Sequence, residues 1–227
     1  MLRIALSGVL LLFNYWACAE VETYNRVDFQ VEAARAVAND LLVAHMTVEI
    51  QDKQPARVAQ LISTALNDAL KKAAIFDTVK VSSGTQNNYP VYGKNNQIDG
   101  WRGHAEIRLE SRDFKAAAEL IMQLQATLQL GGVQFMLAPD TRAPIENGLI
   151  SEAIKAFQIR AEAIRTAVGA KTYKIVHLSI NNGGILPQYP APMMRASALA
   201  APMIPVPEFA GGESRMTVQL NGTIETQ

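Results

Sequence analysis

Cysteine is almost missing from this chain: Cys18 is the single one in 227 residues. No disulfide within one chain, all-cysteine zinc site or iron–sulfur ligation can be built from it. An excess of charge of one sign is missing too, since 21 Lys and Arg face 21 Asp and Glu. No global field therefore draws the protein to nucleic acid or to an anionic membrane. The sequence holds no Gly-x-Ser-x-Gly elbow, no Walker loop and no Gly-x-Gly-x-x-Gly turn after a strand. After the first residues, no run is long and apolar enough to cross a bilayer as a helix. What is present is apolar material: 49% of the residues are hydrophobic, enough for one large domain or two small ones with a real core.

The start of the chain is for targeting. Met1-Leu2-Arg3 is a short positive opening, and Ile4 to Phe13 is an uncharged apolar run too short to span a bilayer of about 30 Å. Ala17-Cys18-Ala19 places small residues at the cleavage positions, so residues 1–19 read as a signal peptide and the mature chain starts at Glu20. Acylation of Cys18 is the competing reading, but Tyr15-Trp16-Ala17 lacks the aliphatic residue expected three places before a lipidated cysteine. With cleavage the mature chain has no cysteine, and the expected location is the periplasm or outside the cell.

Residues 20–227 read as a single α+β domain. Val27, Phe29 and Val31 alternate with polar residues, as do Leu42, Ala44, Met46, Val48 and Ile50 after the turn-prone Asn39-Asp40, which predicts a hairpin with one buried face. From Pro55, a residue suited to a first helical turn, Val58, Leu61, Ile62, Ala65, Leu66 and Ala69 lay a stripe along one helix side. Val79 and Val81 open a strand, and Ala105, Ile107 and Leu109 mark the returning one. Asp113 can cap a second helix with Phe114, Ala117, Ile121, Leu124 and Leu128 inward, ended by Gly131-Gly132. Val133, Phe135 and Leu137 form a short strand closed by Pro139.

Residues 41–138 thus give the order of a split β-α-β unit. A third helix carries Ile150, Ile154, Phe157, Ala161, Ile164 and Val168 on one face and stops at Gly169. Val176, Leu178 and Ile180 predict a further strand, and Met216, Val218 and Leu220 the last. The fold expected is a mixed, largely antiparallel sheet with three helices packed on one face. Between the last two strands, residues 183–212 hold six of the ten prolines and form an arm rather than a ladder.

Few residues suggest chemistry. His45, His104 and His177 each fall out of phase with the buried residues of their strands, which puts all three on the face away from the helices. A three-histidine metal site follows only if their strands are neighbours, and solvated histidines are the simpler reading. Met193, Met194 and Met203 could hold reduced copper through soft thioethers, or could supply adaptable packing against another subunit. Tyr89-Pro90-Val91-Tyr92 and Trp101 gather aromatics near a hairpin tip, where rings suit an interface or a ligand platform. Gly183-Gly184 and Gly211-Gly212 flank the arm as hinges. Asn221-Gly222-Thr223 fits the glycosylation triplet, although Asn-Gly in a strand pattern is more simply a bulge or local turn.

Tyr89-Pro90-Val91-Tyr92 followed by Ile98-Asp99-Gly100-Trp101-Arg102-Gly103-His104-Ala105-Glu106-Ile107 resembles the aromatic pair and following strand of the SIMPL domain proteins, a group of bacterial periplasmic or secreted proteins. Gly131-Gly132-Val133-Gln134-Phe135, the alanine-rich run from Glu152 to Ala163 and the arm before a final strand are similar to that family as well. Where its members usually open with a glycine-spaced strand and a Pro-Asp pair, this chain has Ala33-Ala34-Arg35-Ala36 and Asn39-Asp40. The resemblance implies a periplasmic α+β protein that tends to self-assemble, is associated with envelope or oxidative stress, and has no established catalytic residues.

The expectation is a non-enzymatic, secreted or periplasmic oligomer of the SIMPL type, self-associating through the 183–212 arm. No catalytic, cofactor-binding or metal residue is assigned, and no cofactor, nucleic acid or transmembrane segment of the mature chain is expected. Peripheral membrane contact stays open. The rival reading is a periplasmic module binding a metal or small ligand through the histidine face or the methionine-rich arm.

Overall fold

The computed structural model describes residues 24–188 and 209–227. The signal peptide expected at residues 1–19, Cys18 and the methionines at 193, 194 and 203 lie outside the described residues. The α+β class holds, but the strands form two sheets rather than the single one expected, and every neighbouring pair among the described strands is antiparallel.

The larger half is the split β-α-β unit. Strand β2 (Leu41–Asp52) leads to helix α1 (Pro55–Ala73), strands β3 (Val79–Tyr92) and β4 (Ile98–Ser111), helix α2 (Phe114–Leu124) and strand β5 (Gln129–Met136), with sheet order β3-β4-β2-β5. Pro55 sits in the first turn of α1 and Lys71 and Lys72 in its last, where they suit the ends of the helix dipole. The Asp113 side chain accepts the Ala116 N–H at 3.0 Å and caps α2 as its sequence predicts. The inward residues of both helices meet Leu42, Ala44, Met46, Ala105, Ile107 and Leu109 of the sheet in one core. Burying each large aliphatic side chain there stabilises the fold by about 1.5–3 kcal/mol.

One glycine sets how closely α1 approaches. A Cβ at Gly103 would stand 2.4 Å from both Ile62 Cδ1 and Val58 Cγ1, two fully buried side chains. Gly103→Val is therefore expected to cost about 1–3 kcal/mol through overpacking. Chemical denaturation read by circular dichroism should show a lower midpoint, whereas Gly148→Ala, with open space around it, should not.

The smaller half is a three-stranded sheet, order β1-β7-β6, built from β1 (Arg26–Ala38), β6 (Tyr173–Gln188) and β7 (Glu213–Thr226). Helix α3 (Pro139–Ala167) covers it, burying Leu149, Ala153, Phe157 and Ala161 against Val31, Ala33, Val218, Leu220 and Ile224. A helix is about 10 Å across and strands are about 4.8 Å apart, so one helix covers two strands. Here those are chiefly β1 and β7; α3 touches β6 less, and among the described residues Leu178 and Ile180 of β6 stay 38% and 42% exposed.

Several expectations need correction. β1 and β2 do not form a hairpin: β1 pairs with β7, and β2 pairs with β4 and β5. The intervening Asn39-Asp40 carries the chain from one sheet to the other instead of turning it back. Gly131-Gly132 does not stop α2, which ends at Leu124; both glycines belong to β5. Helix α3 begins eleven residues before Ile150, at Pro139, and ends at Ala167, so Val168 is its C-terminal cap rather than part of the buried stripe and is 57% exposed. The polar stretch after Val81 is strand throughout, to Tyr92. The first six residues of the expected arm, 183–188, continue β6 past a break in register at Gly183-Gly184, and Gly184 has φ of +77°. An edge strand accommodates Pro187, whose missing N–H can face away from β7.

Asn221-Gly222 is neither bulge nor turn. It lies within the unbroken register of β7 against β1. A Cβ at Gly222 would come within 2.6 Å of the Phe157 ring and 2.7 Å of Leu178, so the glycine admits the aromatic side chain of α3.

Candidate functional site

The outer face of the four-stranded sheet carries two of the three histidines. His45 on β2 lies opposite Arg108, while His104 on β4 lies opposite Glu49. Four residues of β4 separate the two levels, about 13 Å at strand rise. His177 is on β6, in the other sheet. The three-histidine face expected from strand phase is thus not assembled, because phase fixes a face but not a neighbour. Among the described residues no group of three or more His, Cys, Asp or Glu side chains has the spacing to hold a metal ion.

His45 Nδ1 instead makes a close contact with the Glu106 carboxylate. Arg102 pairs with Glu49 at 3.4 Å and donates to Gln51 Oε1 at 3.1 Å, and Arg108 pairs with Glu110 at 2.9 Å. Cations and carboxylates alternate along this face, which gives it no single-sign potential. Four-stranded sheets of this helix and strand order that bind single-stranded RNA stack bases on aromatics of the central strands. Here the outer positions of the central strands hold His45, Thr47 and Glu49 on β2 and Arg102, His104, Glu106 and Arg108 on β4.

The aromatic cluster is divided between two faces. Trp101 packs with the α1 and α2 core, while Tyr89, opposite Arg102, is 42% exposed on the outer side. The cluster is therefore not one platform.

The three-stranded sheet presents two grooves. One, of about 680 Å3, runs between the free edge of β1 and α3 and is lined by Gln30, Val31, Glu32, Ala156, Ile159, Arg160 and Ala163. Its cation is engaged, since Arg160 Nη1 donates to the Gln30 carbonyl at 3.1 Å. The other, of about 360 Å3, lies on the outer face around Asp28, His177, Ser179, Asn221 and Thr223. Register sets Asp28, Thr223 and His177 in one row across β1, β7 and β6.

A hydroxyl, an imidazole and a carboxylate together invite comparison with a nucleophilic triad. In that device the imidazole stands between hydroxyl and carboxylate and takes the hydroxyl proton. Here the Thr223 hydroxyl donates directly to Asp28, and His177 lies on the far side of it. The hydroxyl proton is committed to the carboxylate, so the row has the wrong order for activation.

A group of polar side chains with long-range hydrogen bonds lies between the two halves. Asn39 donates its backbone N–H to the Gly212 carbonyl at 3.0 Å and Nδ2 to the Gly211 carbonyl at 2.8 Å, and accepts from Ser214 Oγ at 2.6 Å. Asp40 accepts the Ala138 N–H at 2.8 Å and the Thr141 hydroxyl at 2.5 Å, with Arg112 Nε at 3.8 Å. The capping residue of α3, Ala138, has no side chain able to cap, and Asp40 supplies that function from a distant part of the chain. Burial works against its charge, but the hydrogen bonds from Ala138 and Thr141 and the field of Arg112 outweigh it and hold the carboxyl below its ordinary value. Asn39-Asp40 reads in sequence as a turn; its role as the junction rests on partners about 100 or more positions away, which no local signal reveals.

A family model described as SIMPL, protein of unknown function (DUF541), matches residues 27–224. No curated protein matches the chain. Among solved structures, one titled "The crystal structure of AtUAH in complex with glyoxylate" is similar at 15% identity over 47% of this chain and 27% of that chain, with a TM-score of 0.23. A likeness that weak carries no argument about fold or activity. The family match spans both sheets, all three helices and the junction between the halves, and on it the chain belongs to the SIMPL family.

Proposed function

We propose that the protein is a non-enzymatic, exported self-assembling protein, periplasmic or secreted, whose segment between β6 and β7 makes contacts between subunits. The observation that carries the reading is the strand leading into that segment: Ile175, Val176, Leu178 and Ile180 of β6 are each 38–45% exposed. Apolar side chains gathered on one strand mark an interaction surface more often than singly scattered ones do. The chain then continues through Pro190, Pro192, Met193, Met194, Leu199, Met203, Ile204 and Val206, a composition poorly suited to a solvated linker. Signal-peptide features at residues 1–19 support export, and the family resemblance supports a link to envelope or oxidative stress.

The test is to replace residues 189–208 with a short Gly-Ser linker and purify both proteins from the periplasm. The linker should leave the circular dichroism unchanged, since closing a loop costs little and depends weakly on its length. The mass by light scattering should fall, and the N-terminus should be Glu20. A variant that keeps its full mass would remove the subunit contact from this segment and favour the rival, a ligand-binding module using Met193, Met194 and Met203. Binding of reduced copper by the parent, absent from the linker variant, would then identify that role.

A further inference from the structure

We infer that the seam between the two halves is an acid-released latch, hinged at Asn39. When the carboxyl groups of Asp40 and Asp140 take up protons, the half built on α3 swings away from the split β-α-β half, and each keeps its own core.

The halves are separate bodies. Residues 41–136 run unbroken through β2, α1, β3, β4, α2 and β5, with β1 before them and α3, β6 and β7 after them. One core gathers Leu42, Met46, Ile62, Ile107 and Leu120, the other Val31, Leu149, Phe157, Leu220 and Ile224, and no buried residue belongs to both. Among the described residues no strand of one sheet pairs with a strand of the other. The helices keep to their own half as well: α1 and α2 pack on the four-stranded sheet, and α3 packs on the three-stranded one. Bodies with separate cores and a narrow junction move against each other by default.

Among the described residues the chain crosses the seam three times: between β1 and β2, between β5 and α3, and from Phe209 into β7. Asn39 and Asp40, side by side in the first crossing, grip the other two. Asn39 holds the third through the Gly211 and Gly212 carbonyls and Ser214 Oγ. An amide does not titrate, so this grip is indifferent to acid. Phe209 reinforces it, its ring centroid 5.8 Å from that of Phe135 on β5. Asp40 holds the second crossing, with Oδ1 on the Ala138 N–H and Oδ2 on the Thr141 hydroxyl. Arg112, just after β4, pairs across the seam with Asp140 in the first turn of α3 and stands 3.8 Å from Asp40.

That asymmetry sets which side lets go. A proton on Asp40 weakens an acceptor that serves a backbone N–H, a hydroxyl and a guanidinium, because bonds to an ionised group are about twice as strong as neutral ones. A proton on Asp140 removes the ion pair that crosses the seam. The other charged groups nearby are engaged or turned to water: Arg142 pairs with Glu146 within α3 at 3.4 Å, Asp113 caps α2, and Glu213 at the start of β7 is exposed. Both latch carboxyls are held below their ordinary value of 3.8. The latch is therefore fully closed above that value and opens as pH falls through the two folded values.

Spin labels test the motion. In a Cys18→Ser background, Asn67→Cys on α1 and Lys155→Cys on α3 put one label on an exposed position of each half. The labelled chain is diluted into unlabelled protein, so that only pairs within one chain are read. At pH 7 the parent should give one narrow distance. At about pH 2.5 the distribution should widen about twofold or more as the halves hinge. The double variant Asp40→Asn, Asp140→Asn should widen it in the same way at pH 7. In that variant the amides of residues 138–142 should exchange about tenfold faster or more, while those of α1 and β7 keep their protection. A narrow distance in both the acidified parent and the variant overturns the latch, as does a parent already wide at pH 7. Loss of protection in α1 and β7 together with residues 138–142 also overturns it, because the halves then unfold as one body.

Discussion

Phe157→Asp is expected to abolish cooperative unfolding of the smaller half or to lower the melting temperature by about 10–20 °C. Phe157 is 1% exposed and stacks on Phe29 with ring centroids 4.3 Å apart. It also fills the space that Gly222 leaves open. Removing a buried aromatic ring costs about 3–5 kcal/mol, and an unpaired carboxylate in its place adds a desolvation penalty. Against a typical total stability of about 5–15 kcal/mol, that loss is a large share. Lys155→Asp on the exposed side should stay within about 0.5 kcal/mol of the parent. Ile154→Asp should fall between the two, because Ile154 is only partly buried beside the stripe of Leu149, Ala153, Phe157 and Ala161. Calorimetry on the three variants checks the order, and equal melting temperatures would show that the helix does not use this face.

Asp40→Ala should destabilise the protein by about 2–4 kcal/mol, because hydrogen bonds to a charged group contribute about 1.5–3 kcal/mol each and this carboxylate is partly open to water. It leaves the Ala138 N–H and Thr141 without their acceptor and uncaps α3. The effect depends on pH with a definite sign. The folded-state pKa of Asp40 is lowered from its ordinary value of 3.8, so the unfolded chain takes up the proton first as the solution is acidified. The stabilisation is complete above that value and is lost as pH falls through the folded one. Asp140, held low by its hydrogen bond to Arg112, acts in the same direction from the first turn of α3. Urea midpoints of parent and Asp40→Asn should therefore differ most above pH 4 and converge below it. A gap that stays constant down to pH 2 would remove Asp40 as the acid-sensitive group.

Local signals carried most of the elements. Pro55, the Asp113 cap, the stripe Val58, Ile62 and Ala69, and the alternation of Met216, Val218 and Leu220 each depend on residues a few positions apart, and α1, α2 and β7 start where they place them, although α2 ends at Leu124, short of Gly131-Gly132. The candidate sites were less legible. Strand phase correctly put His45 and His104 on the outer face, yet it could not tell that His177 belongs to another sheet. Nor could it show that Trp101 and Tyr89 face opposite ways from neighbouring strands.

The sequence by itself determined the α+β class, the order of helices and strands and the family resemblance, because periodicity, caps and short motifs are read over windows of a few to twenty residues. The tertiary structure decided which strands become neighbours. β1 joins β7 across most of the chain's length, Asn39-Asp40 ties the two halves together, and α3 is wide enough for two strands of its sheet but not the third. The alternation of β6 looks in sequence like that of any half-buried strand. Among the described residues, the placement of α3 over β1 and β7 leaves Leu178 and Ile180 38% and 42% exposed, since burial depends on what lies above a residue and not on the residue's own pattern.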